Sequence, residues 1–519
     1  MEKIIGLSVG ESSLTELSFI SKGMPKMGEY VTMEYNNQTI LGMIESLVRG
    51  SVSLNGDIYD PDTISRIRSI EGDDYYIKGN VKILGDVDNL KIPRTPAPPA
   101  TEIKLASPEI LNKVFKNKDG LKLGSLISNE NVAVKLDINK MVSRHLAILA
   151  MTGAGKSNTV SVLIDGLLER NGCPFIFDMH SEYVNAEFPS GKVNIIKPVI
   201  NPLHMDFPEL KSLANIKSNS YIQERYFRKA FYLSQKEIRG GTSSSQNFIQ
   251  IIKKFLNNWY GDGTESGPIY DNNQEIIFNS ISSKDKNSIM DVINKLDDLE
   301  QKYGKLFNTN INNILSQIKL AQANVLDLGQ VDELTAEVLV EHILRISLKS
   351  RKDYIHGNKD KLSFPIFFVL EEAHILAPKD RETKSKYWVR RIAREGRKFG
   401  LGLCLVSQSP KTVDPDALSQ ANNMIILRLV EPKDQRHVQM ASESLSDDLV
   451  SQLPSLNIGE ALVLGLMAKV PTLVKVDEFK GRSVGGDIDI LAAWNSEVKN
   501  HEKELERQLE ESKLMDGNY

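Results

Sequence analysis

The chain is 519 residues long, enough for more than one domain, and its 64 Lys and Arg against 68 Asp and Glu leave a net charge of −4. That balance excludes a global pull toward nucleic acid, so any polyanion must be met by a local basic patch. The two cysteines, Cys173 and Cys404, lie beside apolar runs like small core residues of a reducing compartment, and the eight histidines show no zinc-site spacing.

The opening MEKIIGLSVGESS lacks a signal-peptide core, and no apolar run approaches the ~20 residues that span a bilayer. A soluble, cytoplasmic protein without a membrane partner is expected. Residues 1–91 read as β. Val31, Met33 and Tyr35 alternate with Thr32 and Glu34, and Asn36-Asn37 marks a turn before Ile40-Leu41. Similar short runs at 4–9, 14–20, 44–48 and 81–84 predict a small barrel or sandwich with a structural or assembly role. IPRTPAPPA (92–100) holds four prolines and reads as a stiff linker and domain boundary.

Residues 101–206 begin an α/β core. In HLAILAMTGAGKS (145–157) an apolar strand ends in a small loop, and a helical pattern follows through Val160, Leu163, Ile164 and Leu167. Strand, tight loop and helix form a phosphate cradle: Gly153 and Gly155 let successive N–H groups converge, and the helix adds its positive end. Lys156 can reach β- and γ-phosphates and Ser157 can hold Mg²⁺. The expected nucleotide contacts are Gly153, Ala154, Gly155, Lys156, Ser157 and Asn158. Ala150 stands where the loop pattern usually has its first glycine. PFIFD (174–178) is a second buried strand, followed by Asp178, His180, Ser181 and Glu182. These either face the nucleotide at a strand's carboxyl end or are satisfied loop polars.

Residues 207–322 take on helical spacing, as in Phe248, Ile251, Ile252, Phe255, Leu256 and Trp259, and later in Ile289, Val292, Ile293 and Leu296. They read as a helical insertion with polar loops at 240–245 and 260–267. The core resumes over 323–480 with the strand NVLDL (324–328) and a helix from Glu333. FPIFFVLEEAH (364–374) is an apolar strand delivering two acids, which need a cation or donors to be tolerated there. Glu371 fits a Mg²⁺ ligand and Glu372 the base that polarises the attacking water. In YWVRRIAREGRKFG (387–400), Arg390, Arg394, Arg397 and Lys398 share a helical face. That face is either solvated or carries an arginine finger for a neighbouring subunit's γ-phosphate, from Arg397 or Arg394. LGLCLVSQSP (401–410) ends in Gln408, a γ-phosphate or water sensor candidate. NNMIILRLV adds a strand, ALVLGL and VPTLVKV a closing hairpin, and residues 481–519 a charged C-terminal arm.

The ordered set HLAILAMTGAGKS, DMHSEY, VLEEAH, RRIAREGRKFG, LVSQSP and ILRLVEPKDQ, behind a β-rich module, resembles the HerA family of FtsK-related P-loop ATPases. The resemblance implies an α/β fold: a RecA-like core with an N-terminal small β-barrel, a helical insertion and a C-terminal arm. It implies an ATP- and Mg²⁺-dependent homohexameric translocase or helicase on double-stranded DNA, partnered by a NurA-type nuclease in end resection and double-strand-break repair. It matches Lys156 and Ser157 to the phosphate and Mg²⁺ residues, Glu372 to the catalytic glutamate and Arg397 to a trans-acting finger. Arg144 matches a second arginine of the nucleotide site. Met179-Ser181 of DMHSEY depart from the frequent DPHGEY, and neither change removes a liganding group. Two other readings are a slow nucleotide-gated scaffold that recruits a nuclease, and a membrane-linked DNA pump. The stretch from Lys379 to Lys386 is a candidate DNA contact.

Overall fold

The computed structural model describes residues 3–54, 56–71, 75–217, 219–240, 248–262, 269–271, 274–276, 281–442, 444–482, 490–492, 494–498 and 503. A closed barrel forms first, with neighbours in the order Ile4–Ser12, Glu16–Ser21, Tyr76–Asp86, Gln38–Gly50, Tyr30–Tyr35 and Glu102–Leu105. Alternate residues point inward, and Leu17, Phe19, Val31, Met33, Ile40, Ile44, Val81, Ile83 and Ile103 fill the interior.

The final strand differs from the sequence expectation, because it comes from beyond the proline-rich stretch. That stretch does not space the barrel from the core. It straps across the barrel: Ser12 Oγ donates to the Ala97 carbonyl (2.7 Å) and Ser8 Oγ to that of Pro98 (3.1 Å). Prolines cannot donate, but their carbonyls still accept, and the strand they lead into covers two edges that would otherwise lie open. The helix Pro61–Glu71 is a second difference from an all-β reading. Its signal is local: Pro61 opens the first turn and Asp60 accepts from the Thr63 N–H (3.1 Å).

The core is an eleven-stranded sheet. Its parallel part runs Lys192–Ile196, Gln322–Asp327, Pro174–Asp178, Ile366–Leu370, Leu401–Ser407, Leu146–Leu149 and Asn423–Ile426. The antiparallel part adds Glu460–Gly465, Thr472–Val476, Leu121–Leu126 and Asn129–Leu136. Parallel strands covered on both faces must be apolar throughout, and every residue of Leu146–Leu149 and Ile366–Leu370 is buried. The barrel seats on the antiparallel end, where Tyr30 Oη donates to the Pro471 carbonyl (2.8 Å) and Gln452 Nε2 to that of Glu45 (2.9 Å).

Helices Phe207–Leu213, Tyr221–Arg239, Phe248–Asp262 and Ser283–Tyr303 form the insertion, joined to the core through Phe227, Phe231, Trp259, Ile289 and Leu296. Most of the loops expected at 240–245 and 260–267, and most of the arm 481–519 with KELERQLEE, lie outside the described residues. Among the described residues no helix is long and apolar enough to cross a membrane.

Candidate nucleotide site

The site starts at the carboxyl end of Leu146–Leu149. Gly153 (φ +77°) and Gly155 (φ +100°) hold backbone that other residues adopt only under strain, and a Cβ on Gly153 would meet nothing within 4 Å. That face of the loop is therefore open. The helix Lys156–Leu168 follows at once, so the N–H groups of its first residues have no intrahelical acceptor and point into the opening. Ala150, the departure from the glycine pattern, is buried, with its N–H on the Ser407 carbonyl (3.2 Å). Its methyl belongs to the core and leaves the cradle clear.

Sheet order brings the acids to this loop. Leu401–Ser407 lies between the loop strand and Ile366–Leu370, so Glu371 and Glu372 emerge two strands, about 10 Å, away. Lys156 spans that gap: its Nζ lies 3.3 Å from Glu371 Oε2 and 2.9 Å from Glu372 Oε1. Gln408 Nε2 donates to Glu372 Oε1 (2.7 Å), and Thr152 Oγ1 donates to Gln408 Oε1 (2.7 Å). His374 Nδ1 lies 3.2 Å from Glu372 Oε2. Glu372 holds φ +48°, a left-handed conformation that costs a non-glycine residue about 1–3 kcal/mol and is retained mainly at functional positions.

The two acids are tuned apart. Burial works against the Glu372 charge, but His374, Lys156 and Gln408 outweigh it and hold its pKa at about 2. At Glu371 burial wins over Lys156 and the Tyr183 hydroxyl, and its pKa is raised. Burial lowers the Lys156 pKa too, yet the paired carboxylates reverse this and keep the ammonium charged.

The turn after Pro174–Asp178 completes the pocket. Asp178 accepts from the N–H groups of Glu182 (3.0 Å) and Tyr183 (2.8 Å), folding the chain back. Tyr183 Oη then donates to Glu371 Oε1 (2.7 Å), and Ser157 Oγ donates to Glu182 Oε2 (3.1 Å). Of the acidic turn, Glu182 faces the loop helix, whereas Asp178 and Ser181, the latter on Asp327 (2.6 Å), shape the backbone. Ser157, paired with Glu182, and Glu371 carry hard oxygens of the kind Mg²⁺ takes and could hold the ion. Among the described residues no group of three or more His, Cys, Asp or Glu side chains could hold a metal unaided, so phosphate oxygens and water would complete such a shell.

The side chains of several expected residues have other partners within the chain. The Asn158 side chain donates to the Asp477 carbonyl (3.0 Å) and accepts from the Phe479 N–H (2.8 Å), tying the segment after the last strand to the helix. Lys386 is buried and donates to the carbonyls of Lys379 and Arg381, so it is packing, not a DNA contact; Lys379 stays exposed. Arg390 forks onto Asp414 (2.9 and 2.7 Å), and Arg394 reaches Asp416 (3.4 Å). Arg397, on the turn Gly396–Phe399, is exposed and has no ion pair among the described residues.

Arg144 and Arg397 are not brought to Lys156. Both bear on His145, at the amino end of the loop strand, and four strand residues, about 13 Å, separate that end from the cradle. Tyr183, His374 and Thr152 were missed in the sequence. Each lies inside a quoted motif, Tyr183 at the end of DMHSEY, His374 at the end of VLEEAH and Thr152 in HLAILAMTGAGKS, but no spacing singled them out.

The sequence matches three known families in chain order: HAS barrel domain over residues 5–89, Helicase HerA, central domain over 121–347, and Helicase HerA-like C-terminal over 355–483. A probable helicase of Methanocaldococcus jannaschii is 41% identical over 99% of this chain and 98% of its own. The DNA double-strand break repair helicase HerA of Saccharolobus solfataricus is 37% identical over 96% and 97%. Its Pyrococcus furiosus namesake is 33% identical over 96% and 98%. With relatives this similar across both full lengths, and with barrel, core and C-terminal region each matched, the chain belongs to the HerA helicase family.

Proposed function

We propose that this chain is an ATP-driven helicase and translocase on double-stranded DNA, acting as a homohexameric ring in double-strand-break repair with a NurA-type nuclease. The carrying observation is Lys156 held between Glu371 and Glu372 beneath an open glycine loop. The names of the relatives, DNA double-strand break repair helicase, support the repair role.

Without nucleotide, Lys156 is neutralised by its own carboxylates, and Glu372 is too weak a base to polarise water. An incoming triphosphate offers Lys156 a stronger partner. Drawing Nζ onto the phosphates takes away one of the partners that hold Glu372 low, with His374 and Gln408 remaining, and so raises its basicity when substrate binds. In this reading Gln408, hydrogen-bonded to both Thr152 and Glu372, reports the exchange to the loop. Tyr183 keeps Glu371 in place as the lysine moves. A Mg²⁺ ion arriving with ATP would be held by Ser157, with Glu182 and Glu371 beside it, and would neutralise charge on the β- and γ-phosphates. The missing cation on the γ-phosphate is the Arg397 of a second copy, with Arg144 close by. DNA is followed by its phosphates, so affinity should fall steeply with salt and depend little on sequence.

The test is ATP turnover with and without duplex DNA. DNA stimulation is expected, together with a Glu372→Gln variant that binds ATP but turns over ~10²–10⁴-fold more slowly. Turnover indifferent to DNA would favour the nuclease-recruiting scaffold instead.

A further inference from the structure

At the amino end of the loop strand one buried side chain follows Arg144 directly and lies within reach of the charge of Arg397. His145 is 3% exposed and holds φ +59°, a strained conformation for a residue bearing a ring. Its backbone is pinned: Asn423 Nδ2 donates to the His145 carbonyl (2.9 Å), and the Asn422 N–H donates to the Arg144 carbonyl (3.0 Å). Its Nδ1 accepts from the Leu403 N–H (3.1 Å), on the strand that follows the Arg397 turn. An accepting Nδ1 puts the ring proton on Nε2. Nε2 is buried without a hydrogen bond of normal length, and the neighbouring acceptor is the carbonyl of Ala393, in the helix that leads to Arg397.

The surroundings leave little slack. A Cβ on Gly396 would come within 2.5 Å of the Leu401 carbonyl, and one on Gly402 within 2.5 Å of that of Val142. The helix Ile138–Ser143, the Arg397 turn and the strand Leu401–Ser407 thus meet backbone to backbone around the imidazole. Burial, with Arg144 and Arg397 adding to it, keeps the ring neutral, so it adds no third positive charge near the guanidiniums.

We propose that His145 is a positioning residue for the interfacial arginines: it fixes the Arg397 turn against the Arg144 end of the loop strand, so that this copy presents its guanidinium to a second copy's nucleotide. The proposal rests on the trans-acting reading of Arg397. It places His145 in the service of the neighbour's pocket and not of the pocket in its own chain, about 13 Å along the strand.

Two-tag co-expression and tandem purification would give rings that mix two variants. His145→Ala supplies an intact pocket with a loosened finger. Glu372→Gln supplies a disabled pocket with an intact finger. Each is expected to be slow alone, with ATP-analogue affinity unchanged in His145→Ala, and the mixed rings to regain at least tenfold in turnover per subunit. His145→Asn, whose side-chain oxygen can replace Nδ1 and which tolerates a positive φ, keeps the experiment interpretable if the alanine variant fails to fold. Rings mixing Arg397→Ala with Glu372→Gln separate the two layers. If they recover and the His145 mixtures do not, His145 serves its own pocket and the proposal fails. If neither recovers, the trans-acting finger itself is wrong.

Discussion

The two ends of the strand Leu146–Leu149 are built on opposite plans. At its carboxyl end the polar groups partner one another: Lys156 meets two glutamates, Glu372 accepts from Gln408 and lies 3.2 Å from His374, Glu371 accepts from Tyr183, and Ser157 donates to Glu182. At its amino end Arg397 is exposed and has no ion pair among the described residues, and the ring beside it is kept neutral. A self-satisfied network is stable without ligand and must be opened by a competitor of higher charge. An exposed, unpaired guanidinium adds little to its own chain and is available to another. On the proposed reading, this contrast is what a hydrolytic site divided between two copies requires.

Four substitutions would break or sharpen the contrast. The largest effect should come from Arg397→Ala, which is expected to cost ~10³–10⁵-fold in turnover in assembled rings while ATP-analogue affinity holds. Loss of affinity with unchanged turnover would put this arginine in ground-state binding. Removing the cation at the other end should act on stability instead. Lys156→Met strands two carboxylates in a buried site, and its urea midpoint in the nucleotide-free protein should fall by the equivalent of about 3–5 kcal/mol. Arg397→Ala should stay within about 0.5 kcal/mol of the parent in the same experiment. Equal losses in the two variants would erase the distinction.

A smaller effect belongs to His145. Its pKa is depressed from 6.5 to about 4, so between those values the unfolded chain binds the proton that the folded chain refuses. Stability should therefore fall as pH drops through that window, by roughly 2–3 kcal/mol at the acid end, and His145→Asn should flatten this component. Stability curves of identical pH dependence would show that the imidazole is not buried as described. The smallest effect is expected for Gly396→Ala, whose methyl would press on the Leu401 carbonyl and the Ile392 side chain. A cost of about 1–3 kcal/mol, with slower turnover and unaltered ATP affinity, would mark a displaced finger.

What the sequence disclosed follows the same division. The glycine loop, the two acids on an apolar strand and Gln408 were legible because each sits at the end of a buried strand, where a polar residue is conspicuous. Tyr183 and His374 were not, since an aromatic in a turn and a histidine beside an acid have many ordinary uses until folding aims them at Glu371 and Glu372. At Asn158 the sequence does not separate backbone from side chain: one residue past Ser157, the helix turns the amide toward Asp477 and Phe479, while the N–H stays in the helix's first turn. The closing barrel strand was hidden because Glu102–Leu105 is short and pairs with partners far away in the chain. Lys386 closes the stretch expected to meet DNA, and only the fold reveals its burial against two carbonyls.

The most direct measurement is steady-state ATP turnover per subunit across the concentration range in which the chain assembles, with mass photometry on the same samples. Turnover should rise in step with the assembled fraction, and the rise should vanish in Arg397→Ala. Dispersed single chains that hydrolyse ATP as fast as assembled ones would contradict a site shared between copies.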